Sequence, residues 1–381
     1  MAEAVIVSAV RSPIGRAHKG RLKVIRPDEL AATVIRGALG RVPNLDINLI
    51  EDVILGCAFP EGEQGFNMAR PVSALAGIPV TAGGTTINRF CASALTAVNM
   101  AAQAIMHGDG DVIVAGGVES MSRVPMGGFN PSFNPKLNHE HGYPDSYIPM
   151  GMTAENVARR YDISREEQDA FALRSHQRSV AAQDAGKFPE IVPVTLPDGT
   201  VVDTDEGPRR DTSMQRLAGL EPAFIAGGTV TAGNSSPLND GATCAIVMSE
   251  QRARDLGITP LARVRAMAVA GVDPDVMGIG PIPATRRVLQ RAGLTVDDID
   301  LFELNEAFSS QSIAVQRELG IPDDKLNIHG GAIAIGHPLG CSGARLIAQL
   351  ISGLRDTGGT LGLATLCVGG GQGVATIIER I

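Results

Sequence analysis

Four positions in this chain combine reactive or hydrogen-bonding side chains with turns or strand ends. Cys91 follows an apolar run, TTINRF, and opens the helical pattern CASALTAVNMAAQAIM. A thiol at a helix start meets the helix dipole and free backbone amides, which favour a thiolate and hence a nucleophile. A small buried core residue is the alternative. His337 lies in GGAIAIGHPLGCSGAR, where flanking glycines and Pro338 oppose a regular helix and predict a tight exposed loop. An imidazole held there suits a base or a structural role. Cys367 ends the run TLGLATL and is followed by Val368 and then Gly369, Gly370 and Gly371, so a backbone amide near the thiol is open to a ligand; a core cysteine is again the alternative. Asn305 and Glu306 end DIDLFEL and begin a helical pattern, which puts polar groups at the carboxyl edge of a sheet, where α/β proteins bind ligands; an N-cap role for Asn305 is the other reading.

Other chemistries fit less well. His337 and Cys341 are four apart, but Pro338 and Gly340 spoil the helical face that a metal pair needs, so no metal site is expected. Five cysteines, odd in number and without a CxxC pair, suggest neither a disulfide framework nor zinc. The cluster Gly369–Gly371 with Gly373 precedes a strand-like run, GVATIIERI, and not a helix, so a dinucleotide loop is rejected on context.

A scaffold must position these groups. At 381 residues the chain exceeds what one core usually serves, which predicts two domains of similar size or one with a large insertion. Hydrophobic residues at 44% against 19% charged describe a chain that folds. With 3% aromatics, no Trp and 45 Gly, the interior must pack small aliphatic side chains, which favours layered α/β structure. The 33 Lys and Arg against 41 Asp and Glu leave a net charge of −8, so nucleic acid is not an expected partner. The start, MAEAVIVSAVRSPIGR, reads as a first strand and not a signal peptide, and no apolar run reaches the roughly 18 residues of a membrane span. A cytoplasmic protein with reduced thiols is expected.

Apolar β-rich runs alternate with helical patterns along most of the chain, the signature of a mostly parallel sheet covered by helices on both faces. Turn, Ala/Ser-rich helix, strand and glycine cluster recur at Phe90–Cys91, 91–106, 111–115 and Gly116–Gly117, and at Gly340–Cys341, 342–355, 360–367 and Gly369–Gly371. This weak internal repeat predicts two similar α/β halves. Residues 1–118 with 238–250 form the N-terminal half, 251–381 the C-terminal half, and 119–237 an inserted loop domain with helices in TAENVARRY and SREEQDAFALRSHQRSVAAQDAG.

Taken together, TINRFCASAL (86–95), ELNEAF (303–308), GGAIAIGHPLGCSGAR (330–345) and CVGGGQG (367–373) closely resemble, in order and spacing, the signature segments of the thiolases. The resemblance covers the whole chain, including MGMTAEN (150–156) and TAGNSSPLNDGA (231–242). It implies an α/β fold of five layers, αβαβα, with two similar halves, an inserted loop domain and an intimate dimer as minimal assembly. It also implies a degradative 3-ketoacyl-CoA thiolase: Cys91 as acyl-carrying nucleophile, His337 as its base, and Cys367 moving the α-carbon proton. His337 with a water on Asn305 would serve the thioester oxygen, and the amides of Cys91 and Gly369 the acyl-enzyme oxygen. No prosthetic group or metal is implied, and coenzyme A is a substrate. Arg209 matches a contact to the adenine nucleotide, Ser236 and Met150 match contacts to the pantetheine arm, and Ala307 with Phe308 lines the same tunnel.

The resemblance leaves alternatives. An acetyl-CoA acetyltransferase handling acetoacetyl-CoA would usually carry His where Pro149 precedes MGMTAEN. A decarboxylating ketoacyl synthase would need His in place of Asn305, and a lipid-carrier relative would lack catalytic groups. Dimer or tetramer, and a hydratase/dehydrogenase partner subunit, stay open.

Overall fold

The computed structural model describes residues 2–381. The first half runs β1 (Ala4–Arg11), β2 (Gly15–Arg16), α1 (Pro27–Gly40), β3 (Asp52–Gly56), α2 (Ala69–Leu75), β4 (Thr85–Ile87), α3 (Ser93–His107) and β5 (Val112–Ser120). There follow α4 (Met150–Arg160), α5 (Arg165–Asp184), the hairpin β6 (Val194–Thr195) and β7 (Val201–Val202), and α6 (Met214–Ala218). Strand β8 (Asn239–Ser249) then returns to pair with β5 and β1. The second half runs α7 (Glu250–Asp255), β9 (Ala262–Gly271), α8 (Pro281–Ala292), β10 (Leu301–Leu304), α9 (Ser309–Leu319), α10 (Ala332–Ile335), α11 (Leu339–Thr357), β11 (Leu361–Val368) and β12 (Gln372–Arg380).

Local signals explain the helix starts. Pro27 opens α1, with Asp28 and Glu29 in its first turn against the dipole. Ser164 and Glu167 close a reciprocal capping box on α5.

The strand order is β4-β3-β5-β8-β1 and then β9-β12-β11-β10, the halves joined where Val5 and Ile6 meet Arg263 and Ala262. Each half repeats one scheme. Strand β3 is parallel to β4 and β5; β10 is parallel to β11 and, through a single bridge from Phe302 to Leu326, to the segment that stands in for β4. Strands β5 and β8 are antiparallel, as are β11 and β12. The expectation of a mostly parallel sheet is therefore corrected to a mixed one. Strand β12 follows β11 through the glycine turn 369–371, too short for a crossover, so it must run back antiparallel.

Strands buried on both faces generate the layers. In β5, Val112 and Val114 face α1 and α2, whereas Ile113 and Ala115 face α3 and α11. In β11, Leu363 faces α8 and α9 while Ala364 and Leu366 face the centre. The result is αβαβα, with α3 and α11 packed together in the middle layer. Apolar residues between β5 and β8 join these cores: Val194 and Val202 that of the first half, Val157 and Phe171 that of the second. Buried Arg11 on β1 fastens this stretch, with Nε 3.0 Å from Glu190 and Nη1 2.7 Å from Asp205.

The middle layer depends on small residues. A Cβ on Gly343 of α11 would lie 2.4 Å from the backbone nitrogen of Leu95 on α3, closer than real contacts allow. Gly343→Ala should therefore destabilise the protein by about 1–3 kcal/mol through overpacking. The measurement is a denaturant midpoint, which should fall at unchanged slope; an unchanged midpoint would mean that the two helices separate without cost.

Candidate active site

Cys91 lies in a 3-10 turn, Phe90–Ala92, between β4 and α3. The turn is strained, for Phe90 has φ 41°, a conformation that costs a non-glycine residue about 1–3 kcal/mol. Side chains hold it: Asn88 Oδ1 accepts the Phe90 N–H at 2.8 Å, and Ser93 Oγ accepts from Arg89 N and donates to the Phe90 carbonyl at 2.7 Å. Two backbone amides, that of Gly369 and its own, act on the Cys91 thiol to favour the thiolate. The expectation of a helix-stabilised thiolate is corrected. The α-helix starts two residues later, at Ser93, and burial pushes the thiol up to about 12, outweighing the two amides. At neutral pH the group is a thiol that needs a base.

His337 is also buried, with 4% of its surface exposed, not on an exposed loop. The short helix α10 ends just before it and α11 begins just after Pro338, so the segment is a tight turn between helices. Gly336, at φ 121°, makes that turn where a side chain would strike Asn239. The His337 N–H is fixed to Asn239 Oδ1 at 2.9 Å. Its Nδ1 lies 2.6 Å from Ser342 Oγ, whose single proton is directed 3.0 Å to the Pro338 carbonyl. The Ser342 hydroxyl therefore accepts from Nδ1–H, which leaves the lone pair on Nε2. Burial first, and the Arg345 charge second, pull the imidazole down to about 3, so the ring is neutral.

Asn305 ends the pairing of β10 with β11, its N–H donating to the Thr365 carbonyl at 3.0 Å. It is no N-cap, because α9 begins only at Ser309. Its Nδ2 lies 3.3 Å from His337 Nε2 and 3.4 Å from Nδ1, and its Oδ1 accepts from Arg345 Nη2 at 3.2 Å. Glu306 faces away from this group, accepting from Ser175 Oγ, Asn327 Nδ2 and the Ile333 N–H. Cys367, near the end of β11, is wholly buried; burial raises its thiol, and the neighbouring Cys91 adds to the rise. Cys91, Cys367, Gly369, Asn305 and His337 thus gather at the carboxyl edge of β10 and β11.

Of the other expected contacts, Met150, Ala307 and Phe308 share one apolar cluster with Cys367. Gly369 faces Met150, a Cβ there falling 3.8 Å from the Met150 sulfur. The Ser236 N–H donates to the Ala307 carbonyl at 3.0 Å, which sets Ser236 at the rim of that cluster. Arg209 stands apart on the surface, with its N–H on Nδ1 of buried His176, whose ring burial drops to about 4 and keeps neutral.

Three supporting residues escaped sequence reasoning. Glu119 is a buried carboxylate that accepts from the N–H of Ala58 (2.7 Å) and of Gly340 (2.8 Å) and from Gln64 Nε2 (2.9 Å), so it ties the end of β5 to the start of α11. Ser342 shows no pattern that distinguishes it from a core serine. Arg345 did carry a signal: it is the one cation among the apolar positions of α11 before the last turn.

The chain matches the family "Thiolase, N-terminal domain" over residues 4–251 and "Thiolase, C-terminal domain" over residues 258–380. It is 49% identical to the 3-ketoacyl-CoA thiolase of Bacillus subtilis (strain 168) over 392 residues, covering 100% of both chains. Identity to the 3-ketoacyl-CoA thiolase of Shewanella baltica (strain OS155 / ATCC BAA-1091) is 50% over 393 residues, again covering 100% of both. Among solved structures, the acetyl-CoA acetyltransferase of Bacillus anthracis superposes with a TM-score of 0.92 at 43% identity, covering 100% of this chain and 99% of that one. The two-half layered fold, the cysteine turn aimed at the end of β11 and these matches over the whole length lead to one conclusion: the chain belongs to the thiolase family.

Proposed function

We propose that this thiolase cleaves 3-ketoacyl-CoA with CoA to give acetyl-CoA and a shortened acyl-CoA, as a cytoplasmic acyltransferase of fatty-acid β-oxidation. The observation that carries the reading is the Phe90–Ala92 turn, with Cys91 on it, packed against the end of β11 that carries Cys367. Its support from relatives is the 49–50% identity to chains named 3-ketoacyl-CoA thiolase.

In the proposed sequence, Cys91 Sγ attacks the 3-keto carbon as His337 Nε2 takes its proton. The C2–C3 bond breaks, its electron pair passing into the enolate of acetyl-CoA, and Cys367 gives its proton to the α-carbon. A second CoA thiol returns a proton to Cys367 and attacks the acyl group; Cys91 leaves and recovers its proton from His337. Division through a covalent intermediate replaces one hard step by two easier ones. Charge develops on two oxygens. The Cys91 and Gly369 amides serve the acyl oxygen, and His337 with a water on Asn305 the thioester oxygen, each donor being worth about 10²–10³ in rate. The thioester is the electron sink, so the scheme needs no metal, and among the described residues no three His, Cys, Asp or Glu side chains cluster as a metal site.

Met150, Ser236, Ala307 and Phe308 would line the pantetheine channel, and exposed Arg209 would meet the nucleotide. The assembly is proposed as a homodimer or homotetramer. Phe66, fully exposed beside edge strand β4, to which Asn67 is bonded at Thr86, is the kind of surface that a second copy covers. The substrate arises by oxidation of a 3-hydroxyacyl-CoA, which is where a hydratase/dehydrogenase partner subunit would act. The second reading, an acetyl-CoA acetyltransferase, is favoured by the likeness in structure to the Bacillus anthracis acetyl-CoA acetyltransferase.

Three measurements test this. Cys91→Ser should fold yet form no acyl adduct in mass spectrometry, whereas Cys367→Ala should still be acylated by acetyl-CoA and lose exchange of the acetyl methyl protons with deuterated water; an adduct on another cysteine would sink the assignment. The neutral His337 ring sets the acid behaviour. Because its pKa is pulled down to about 3, kcat/KM for a pantetheine thioester, which carries no titrating phosphate, should stay flat from pH 7.5 down to about 5.5. A limb centred near the ordinary imidazole value of about 6.5 would show a ring open to water. Chain length separates the two readings. The stretch before α4, from Gly127 to exposed Pro149, contains no α-helix to close an acyl tunnel, so kcat/KM should rise from the four-carbon substrate to medium chains, each buried methylene contributing about 0.8 kcal/mol. Rejection of six-carbon and longer substrates would favour the acetyltransferase.

A further inference from the structure

Arg345 is the one buried charged side chain on the central helices α3 and α11. Desolvating a guanidinium costs several kcal/mol, which packing alone does not require at a position flanked by Ala344 and Leu346. Its partners show what it does. Nη2 donates to Asn305 Oδ1 at 3.2 Å and Nη1 donates to Gln349 Oε1; the carboxyl of Glu303, two residues before Asn305 on β10, also acts on the guanidinium, although burial pushes that carboxyl up to about 8.

A guanidinium carries five donors and no acceptor. An amide in contact with it must present oxygen, so the Asn305 Nδ2 is forced to the opposite side, where it lies against the His337 ring. Rotating that amide by half a turn would set two donors against each other at Arg345 and turn Oδ1 toward the reacting groups. The Asn305 backbone is already fixed through Thr365, and the His337 ring through Ser342, so the amide orientation is the one freedom left at this corner.

We propose that Arg345 is a positioning residue for carbon–carbon bond chemistry: it locks the Asn305 amide with its donor toward the site, so that the water serving the enolate oxygen is held by N–H and never by a carbonyl. This deepens the thiolase reading above and rests on it. Arg345 touches neither the Cys91 nor the Gly369 amide in this arrangement, so its influence should be confined to the enolate step and should leave acyl transfer to Cys91 intact.

The test is a double-mutant cycle in the full-length protein, with Arg345→Met, Asn305→Ala and both together. Two reactions of acetyl-CoA are followed: methyl proton exchange with deuterated water, and acylation of Cys91 by mass spectrometry. Arg345→Met should slow exchange on the order of 10²-fold, the usual effect of losing one oriented donor, with KM and the acylation rate within about threefold of the unsubstituted enzyme. In the Asn305→Ala background the same substitution should cost less than about threefold more, since its effect runs through the amide. An equal loss of acylation and exchange, or an undiminished loss in the Asn305→Ala background, would overturn the proposal. If Arg345→Met is not recovered folded, Arg345→Lys, which cannot keep the fork on Asn305 and Gln349, enters the same cycle with the same criteria. Absence of both reactions from the unsubstituted enzyme would overturn the thiolase reading itself.

Discussion

The close approach of α3 and α11 in the middle layer is the constraint on which the rest of the molecule depends. Both helices begin at turns, one carrying Cys91 and the other His337, so the contact between helix starts also brings the two turns together. Backbone-to-backbone packing at Gly343 and Leu95 permits this only with small side chains, which is why Ala, Ser and Gly dominate both helix starts. The two halves of the sheet follow as consequences, each covering one side of the helix pair. Glu119 then fixes the seam, since its carboxylate accepts both from the Ala58 N–H in the first half and from the Gly340 N–H at the start of α11.

Burial in that middle layer determines the protonation of the site. It raises the Cys91 and Cys367 thiols and lowers the His337 imidazole, so all three groups are neutral at rest. No thiolate–imidazolium pair is favoured in the free protein; in the proposed reaction, charge appears only as a substrate carbonyl supplies an oxygen to receive it. The amides proposed to face that oxygen would be worth most in such a buried setting.

Much of this was legible in the sequence, and what was not has physical reasons. The alternation of runs and the repeated turn–helix–strand–glycine unit identify two α/β halves, because strands buried on both faces are apolar throughout. Strand direction escaped, since β11 and β12 read alike in either sense and only the shortness of the 369–371 turn reveals the reversal. The exposure of His337 was misjudged because glycines and proline mark a turn without saying whether a helix covers it. Cys91 reads as a helix-start residue by proximity, but the α-helix begins two residues later and burial reverses the balance. Asn305 was legible as a strand-end residue; the guanidinium that orients it came from a helix 40 positions later, a distance at which periodicity carries no information.

The proton count of the proposed reaction explains why so dry a site can turn over. Cys91 yields a proton to His337 and recovers it; Cys367 gives one to the α-carbon and regains it from the incoming CoA thiol. No net proton enters or leaves, so no path to solvent is needed, and burial becomes an advantage rather than an obstacle. In that scheme burial keeps the Cys367 proton in place until a carbanion more basic than any thiolate forms beside it, and keeps the His337 lone pair free of bulk protons until Cys91 delivers one. The apolar cluster of Met150, Ala307 and Phe308 packed around Cys367 fits the same scheme, since side chains without ionisable groups add no competing proton donor to the proposed relay.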